Sequence, residues 1–486
     1  MFSRAENFYA VWRTQSGASQ FLRDENGLPS ERLLQAIWQH QRLRRDRLQT
    51  AVGKSIRVFH PGFISVEGGP DFRGAIIQTG DETPRSGDVE IDLQSSGWRA
   101  HGHDRNKNFQ NVMLHVVWDE VKSVSNENAL SILSLKHALD APLAELSLSL
   151  GSEPLRSLPE NLRGRCSTSL REPSESQLAE ILHAAAKVRF QNKAEAMLAR
   201  AKNSGWEQVL WENLFRALGY KHNVWPMLHL AETKPIWSHG VKSVFEIQAR
   251  LLGVSGLLPD DLTRAQKTSD TFLRRAWDCW WRDRDEFESC ILPHAAWKFH
   301  GLRPANHPQR RLALAAHWLA NRDFISKIEA WIAAEISNAK LLESLHEIFR
   351  VERDDFWSWH WTFKSARMKS PQPLLGAARV TDLAVNVILP WLWARGACAR
   401  PPDGNERFAR EVEGRFFAWP AAEDNSILKL ARQRLLGSSS AHPLKTAAVQ
   451  QGLTQIVRDF CEHSNAVCAE CRFPELVEGF KLHVAS

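Results

Sequence analysis

The side chains best suited to chemistry in this 486-residue chain are concentrated between residues 70 and 115. The candidates in this segment are three of its carboxylates and its three imidazoles, at Asp71, Glu90, Asp92, His101, His103 and His115. Hydrolysis of a phosphodiester near neutral pH needs a neutralised phosphate and an activated water, and a bound divalent cation provides both. Because Mg²⁺ and Mn²⁺ bind carboxylate oxygens, we predict a Mg²⁺ or Mn²⁺ site on the three carboxylates, with all six residues catalytic.

The pattern around these residues predicts a helix, three strands, a second helix and a further strand. Amphipathic spacing after a Ser30 cap indicates the first helix over residues 31–46. Alternation or runs of β-branched residues predict strands at 56–60, 72–79, 88–93 and 111–118, with the second helix at 98–109. These elements must bring the polar residues together if they form a site.

Strand geometry favours a carboxylate cluster. Asp71 opens one strand, and Glu90 lies in the next, antiparallel strand after a polar turn at 80–87. Asp92 follows Glu90 by two residues, so both side chains are expected on the same face. The three carboxylates therefore have the geometry to converge on one ion.

The three histidines are candidate ligands or general bases, since neutral imidazole serves as either. The predicted helix over 98–109 places His101 and Asp104 on one face, with His103 offset. His115, on the last strand, faces either the core or the site.

A purely structural role is the alternative for each residue taken alone. Asp71 and Asp92 would then cap turns or pair with Arg73 and Arg99, and the histidines would satisfy local backbone groups. Polar side chains this dense between apolar strands are costly without a function. The group as a whole therefore favours a functional site.

Along the rest of the chain the pattern predicts an α+β protein in four parts. We expect an N-terminal α/β module, a Pro- and Ser-rich linker, a helical domain and a cysteine-containing tail that packs back on the body, at 1–150, 151–175, 176–460 and 461–486. Helical spacing recurs over 177–202, 206–218, 312–321 and 325–349. The fold class is a mixed-sheet α/β core followed by a large, mostly α-helical region.

Composition places the chain among ordinary globular proteins, with 43% hydrophobic and 24% charged residues. The charged N-terminus is not a secretory signal, and the longest apolar stretch, 384–393, is too short to span a bilayer. We therefore expect a cytoplasmic protein that does not associate with membranes. A net charge of +6 permits DNA or RNA as a partner without requiring it. The 20 tryptophans are interpreted as core packing.

A cysteine cluster near the C-terminus predicts a second metal site. Cys461, Cys468 and Cys471 follow a C-x6-C-x2-C pattern, whose last pair has the spacing of zinc and iron–sulfur sites. Cys166 is the predicted fourth ligand, with His463 as the alternative. Zn²⁺ and an iron–sulfur cluster both remain open, as does a set of reduced thiols that bind no metal.

The N-terminal order of elements, with a Pro-Asp step before one strand and Glu90 in the next, resembles the core of the PD-(D/E)XK nuclease superfamily. In that resemblance Asp71 and Glu90 are metal ligands. The superfamily usually has lysine where this chain has Asp92, and a carboxylate cannot supply the positive charge of a lysine. The resemblance therefore supports a nuclease-like fold more strongly than a nuclease activity.

Several longer strings resemble the bacterial family known as domain of unknown function 2851. They are His60-Pro61-Gly62, Gly69 to Phe72, Gly87 to Ile91, Trp98 with His101-Gly102-His103, Asn111 to Val117, Trp297 to Phe299, Leu302 to Asn306 and Asn386 to Pro390, together with the terminal cysteines. The family commonly has Glu-Ile-His where this chain has Glu90-Ile91-Asp92, so the departure from lysine extends to the family. Arg303, Asn306 and Arg310 belong to the later strings and are candidates for binding a phosphate backbone or, alternatively, for capping helices.

These observations lead to one main hypothesis and two alternatives. The main hypothesis is a metal-dependent phosphodiesterase that acts on nucleic acid. The alternatives are a non-catalytic module that binds nucleic acid or protein on a nuclease-like scaffold, and a hydrolase that uses the histidines with zinc.

Overall fold

The computed structural model describes residues 7–15, 29–65, 69–118, 130–143, 146, 169–170, 173–220, 222–241, 243–268, 271–399, 402–423, 426–436, 445–461 and 471–484. The chain divides into two compact units. The first, here the sheet unit, comprises residues 1–199 and 420–486; the second, the helical unit, comprises residues 200–419.

A mixed six-stranded sheet forms the centre of the sheet unit. Its strands are β1 (Ile56–His60), β2 (Phe63–Ile64), β3 (Phe72–Thr79), β4 (Arg85–Asp92), β5 (Val112–Val117) and β6 (Ser131–Ser134). The strand order is β1-β3-β4-β5-β6, and β2 pairs with β3. Strands β1, β3 and β4 are antiparallel neighbours, whereas β5 runs parallel to both β4 and β6.

Alternation along β4 explains how this sheet separates core from site. Val89 and Ile91 are fully buried in one apolar cluster, which also contains residues of helix α2 (Glu31–Gln39). Glu90 and Asp92 point to the opposite face because successive side chains alternate. Helix α2 begins at the predicted Ser30 cap, whose side chain accepts a hydrogen bond from the Leu33 N–H, but it ends at Gln39 rather than at residue 46. A left-handed residue, Gln41, follows two positions later.

The prediction of one helix over 98–109, in the connection between β4 and β5, is wrong in its extent. One short helix, α3 (Gly97–Ala100), is followed by two single turns of 3₁₀ helix, His103–Arg105 and Lys107–Phe109. Gly102 interrupts the helix because it adopts a φ of 72°, a left-handed conformation that favours glycine. His101 and His103 therefore lie on either side of a turn rather than on one helix.

Five helices complete the described part of the sheet unit, and all five contribute to a second apolar cluster. They are α1 (Phe8–Gln15), α4 (Glu175–Ser204, which continues into the helical unit), α17 (Ser426–Leu435), α18 (Ala447–Ile456, continued by a π turn at Val457–Cys461) and α19 (Phe473–Val484). Tyr9, Phe460 and Phe473 meet in this cluster, and the Phe460 and Phe473 ring centroids lie 4.7 Å apart. The C-terminal helix thus packs against the N-terminal helix within one unit.

The helical unit has the bounds α5 (Trp206–Leu218), α6 (Val224–Glu232), α7 (Lys234–Trp237), α8 (Val244–Val254), α9 (Arg264–Thr268), α10 (Phe272–Asp283), α11 (Pro308–Ala320), α12 (Phe324–Ala333), α13 (Leu341–Phe349), α14 (Ala377–Leu383), α15 (Leu389–Ala399) and α16 (Pro402–Ala418). The helix predicted over 325–349 is two helices, α12 and α13. Trp237, Trp357, Trp391 and Trp419 are fully buried, which agrees with their interpretation as core residues.

The predicted fold class is confirmed: a mixed sheet is followed by a large helical region. The compact units differ from the predicted four-part division because the C-terminal segment joins the sheet unit and the division falls inside α4. Most of the predicted linker lies outside the described residues. Within the described parts of the chain, every helix is too short or too polar to cross a membrane.

Candidate metal centre

The start of β3 and the end of β4 bring the three predicted carboxylates together. The Asp71 backbone N–H donates to Glu90 Oε2 at 3.1 Å, and the Ile91 N–H donates to Asp71 Oδ2 at 3.0 Å. The other Asp71 oxygen, Oδ1, accepts a hydrogen bond from Gln35 Nε2 at 2.8 Å. Asp71 is thus fixed from both sides, by a strand and by helix α2.

Two histidines hold the Asp92 carboxylate. His115 Nε2 lies 2.8 Å from Asp92 Oδ2, and His101 Nδ1 lies 3.3 Å from Asp92 Oδ1. His115 is 1% exposed and sits on β5 opposite Glu90, whereas the His101 side chain is 58% exposed. His115 therefore orients Asp92 from inside the protein, and His101 reaches it from the solvent side.

The third histidine approaches Glu90. His103 Nδ1 lies 3.2 Å from Glu90 Oε1, but the pair is not aligned as a hydrogen bond, and this buried nitrogen has no hydrogen-bond partner. Ligand atoms of Glu90, Asp92 and His103 all lie within 4.8 Å of one another. These three residues, here the Glu-Asp-His set, form a candidate centre for one cation.

Burial and mutual repulsion disfavour the ionised form of the carboxylates in this site. Burial raises the pKa of Asp71 to about 7 and that of Glu90 to about 8, with repulsion from Glu31 and from Asp71, respectively, as the next largest cause. Burial also lowers the pKa of His103, so its imidazole is neutral at pH 7. Neutral imidazole and clustered carboxylates are the forms that bind a cation.

The donor set fits a divalent metal ion. Two carboxylates and one unpartnered neutral imidazole offer mixed oxygen and nitrogen ligands, which suit Mn²⁺ or Zn²⁺ better than the all-oxygen preference of Mg²⁺. Asp71 lies beside this set through its contact with Glu90. The residue that replaces the expected lysine, Asp92, is therefore part of the candidate centre.

One wall of the site is aromatic. The Trp98 ring centroid lies 5.5 Å from that of His103 and 5.6 Å from that of His115, and the Phe109 centroid lies 4.0 Å from that of His103. Gly97 allows the chain to pass close to Asp92, because an added Cβ would lie 2.8 Å from the Asp92 carboxylate. Rigid rings on one side and a close backbone on the other restrict how the ligands can move.

Sequence reasoning missed two site residues, Glu31 and Gln35, both on α2. Glu31 lies close enough to Asp92 and His101 for those charges to affect its pKa, which burial raises. Glu31 lies in the first turn of α2, where the helix dipole favours a carboxylate whether or not a site is nearby. The packing of α2 on the sheet places Glu31 and Gln35 at the site. This packing depends on contacts distant in sequence, so no pattern near these two residues predicts it.

The contacts of Asp71 and Asp92 differ from those expected if these carboxylates only capped turns or paired with nearby arginines. Asp71 is held by Gln35 and the Ile91 N–H, and Asp92 by His101 and His115. Within the described residues neither carboxylate pairs with Arg73 or Arg99. Asp104, predicted to share a face with His101, instead lies 3.8 Å from Arg105 at the surface.

The remaining predicted site residues lie elsewhere. Arg303, Asn306 and Arg310 belong to the helical unit: Arg303 is exposed, Asn306 Oδ1 accepts a hydrogen bond from Arg311, and Arg310 is buried. Their role in substrate binding remains a prediction.

The predicted cysteine site also remains a prediction. Cys166, Cys468 and the alternative ligand His463 lie outside the described residues, and for Cys461 only the backbone is described. Cys471 is half-buried, and its thiol lies 3.9 Å from the Phe460 carbonyl oxygen.

Comparison with known proteins gives a family but no characterised relative. The family model described as "Protein of unknown function (DUF2851)" matches residues 31–413. Neither the curated proteins nor the solved structures contain a match.

Proposed function

The chain belongs to this family of proteins of unknown function, and from the geometry of the Glu-Asp-His set we propose that it is a metal-dependent phosphodiesterase acting on nucleic acid. The observation that carries the proposal is the convergence of Glu90, Asp92 and His103 within 4.8 Å at the end of β4. The order of helices and strands around them supports the proposal, although α3 is shorter than the predicted helix and the short strand β2 is additional. The net charge of +6 suits a polyanionic substrate.

A divalent cation in the Glu-Asp-His set would neutralise phosphate charge and lower the pKa of a water molecule to near neutrality. Glu90, Asp92 and His103 would hold the cation. Asp71 would orient Glu90 through its backbone N–H, and His115 would orient Asp92. His101 is the exposed member, so we assign it the contact with substrate or water at the mouth of the site.

The proposal addresses the missing lysine through the same histidines. A lysine would place a positive charge beside the carboxylates, whereas here His101 and His115 place imidazoles against Asp92. An imidazole can donate a hydrogen bond to a carboxylate or to a developing negative charge. Charge stabilisation in this site would therefore depend on the cation and on histidine donors.

The test is cleavage of single- and double-stranded DNA and RNA with Mn²⁺, Mg²⁺ or Zn²⁺, and with chelator. Glu90→Gln should lower the rate at least about 100-fold, because it removes the charge of a metal ligand, and residues that only orient such ligands already contribute about 10- to 100-fold. Asp71→Asn should lower the rate about 10- to 100-fold, because the Asp71 carboxylate accepts the Ile91 N–H and so fixes the strand that carries Glu90 and Asp92. Glu82→Gln, in the exposed β3–β4 turn, is the matched control and should keep the wild-type rate.

Equal rates for wild type and Glu90→Gln would contradict the proposal, since a contaminating nuclease would give the same result in both preparations. Salt-dependent binding of nucleic acid without cleavage, unaffected by chelator or by Glu90→Gln, would support a non-catalytic scaffold instead.

The imidazole in the ligand set favours a second candidate, a zinc-dependent hydrolase with another substrate. Metal analysis of the purified protein separates the two candidates. Stoichiometric zinc that supports no cleavage of nucleic acid would favour this second function.

A further inference from the structure

Two arginines at the first turn of α11 are buried without a carboxylate partner. Arg310 is 1% exposed and Arg311 is 3% exposed. Arg310 Nη2 donates to the carbonyl oxygens of Gln372 and Pro373, both at 2.8 Å. Arg311 donates from Nη1 to the Leu374 carbonyl at 3.0 Å and from Nη2 to Asn306 at 2.6 Å. These contacts fix the loop at 372–374 but neutralise neither positive charge.

Several buried nitrogen atoms in this region make no hydrogen bond. Arg310 Nε and Nη1 and Arg311 Nε are buried and have no hydrogen-bond partner in the described structure. The same holds for three neighbouring ring nitrogens, His307 Nδ1, Trp357 Nε1 and His360 Nδ1. The Arg310 guanidinium lies 4.5 Å from the Trp361 ring centroid, which places the 357–361 segment beside the start of α11.

Asp354, the carboxylate whose charge acts on Arg310, already accepts four hydrogen bonds. Its Oδ2 accepts from Gln248 and His317, at 2.7 and 2.8 Å. Its Oδ1 accepts the Phe356 and Trp357 backbone N–H groups, at 2.9 and 2.6 Å. Asp354 acts on Arg310 through space and makes no ion pair with it, and it is not among the charges that act on Arg311. A buried charge without a partner is costly.

The start of α11 adds to this excess of positive potential. The N-cap, His307, makes no side-chain capping hydrogen bond, and the first turn contains no acidic residue. A helix N-terminus carries partial positive charge and favours an anion, whereas arginines in the first turn are unfavourable. Burial lowers the pKa of both arginines to about 10, which leaves them charged at pH 7, and lowers the pKa of His307 to about 4.

We propose that the first turn of α11, with Arg310 and Arg311, and the facing 357–361 segment bind an oxyanion of the phosphate class. Phosphate oxygens accept several hydrogen bonds from guanidinium groups and supply the missing negative charge, which water cannot. This site needs Arg311, which sequence analysis did not select, and does not need the exposed Arg303. It stands independently of the proposed phosphodiesterase activity.

The test is titration of the full-length protein with inorganic phosphate, by calorimetry and by thermal unfolding at constant ionic strength. Chelator is present throughout, so that a cation at the Glu-Asp-His set cannot recruit phosphate. We expect the melting temperature to rise with phosphate concentration and not with chloride. Arg310→Lys should weaken binding at least about tenfold, because a hydrogen bond to a charged group contributes about 1.5–3 kcal/mol. Arg322→Lys, a matched exchange at an exposed arginine just after α11, should bind as wild type does.

A short oligonucleotide with a 5′-phosphate, compared with its 5′-hydroxyl form, identifies the source of the anion. Tighter binding of the phosphorylated form than of inorganic phosphate would support a nucleic-acid terminus, and equal binding would support free phosphate. If Arg310→Lys fails to fold, the wild-type titrations alone decide. No response to either probe, or equal affinity in Arg310→Lys and Arg322→Lys, would overturn the proposal.

Discussion

Charge at the candidate centre is determined by a few buried side chains. Asp71 and Glu90 carry pKa values raised to about 7 and about 8, mainly because they are buried. In the unfolded chain both groups titrate near their ordinary values, about 4. Between about pH 4 and 8 the folded protein without metal therefore binds more protons than the unfolded chain, and its stability falls as the pH rises through this range.

This linkage predicts opposite effects of one substitution with and without metal. At pH 8 without metal, Glu90→Gln should be more stable than wild type by at least about 1 kcal/mol, because one unit of pKa shift corresponds to about 1.4 kcal/mol. With Mn²⁺ the wild type should gain stability while Glu90→Gln does not. Denaturant unfolding at pH 5 and pH 8 measures both effects. A wild type whose stability without metal is unchanged between these pH values would contradict the assigned charges.

The raised pKa values of Asp71 and Glu90 also predict that binding of a cation releases protons. Since the ligands must lose protons to bind a cation, the affinity for Mn²⁺ should rise between about pH 6 and 8. Calorimetry in buffers of different ionisation enthalpy should detect protons released on binding, and fewer in Asp71→Asn. Affinity independent of pH would argue that the cation binds elsewhere.

At the scale of the element, the strands of the site could be predicted and their connection could not. The sequence pattern placed β3 correctly and put Glu90 and Asp92 on one face, but β4 begins at Arg85, inside the predicted turn, rather than at residue 88. The helix predicted over 98–109 is too long, because the chain turns at the left-handed Gly102 just after α3 ends. Glu31 and Gln35 could not be found, since the packing of α2 against β4 depends on contacts distant in sequence.

The turn at Gly102 therefore has a testable role in positioning His103. Gly102→Ala forces a side chain into the left-handed region, which should cost about 1 kcal/mol, although no atom within 4 Å obstructs it. We expect a stability loss of this size together with weaker binding of Mn²⁺. Gly240→Ala, with a similar φ of 70° and equally open surroundings, should cause the same stability loss without affecting Mn²⁺. Equal Mn²⁺ affinity in both variants would show that the turn does not position a ligand.

At the scale of the whole molecule, the sheet unit is built from both ends of the chain. Local patterns predicted the helices of 176–460 but not which unit each belongs to, because membership is decided by packing. Residues 420–486 join the sheet unit through the cluster that contains Tyr9, Phe460 and Phe473.

Removing one ring from that cluster should loosen the sheet unit selectively. Phe473 is fully buried, so Phe473→Ala should cost about 3–5 kcal/mol. Hydrogen exchange should then speed up in α1 and α18 while α8 of the helical unit is unaffected. Phe63→Ala, at a position 42% exposed, is the control and should have little effect. Equal acceleration in α8 would contradict the division into two units.

The central claim is that Glu90, Asp92 and His103 hold a divalent cation. Anomalous scattering from crystals grown with Mn²⁺ tests it most directly, because it locates the ion without reference to activity. The account predicts an anomalous peak within coordinating distance of all three side chains, and its loss in Glu90→Gln crystals grown under the same conditions. Crystals of the wild type with no anomalous peak at these residues, at saturating Mn²⁺ and pH 8, would contradict it.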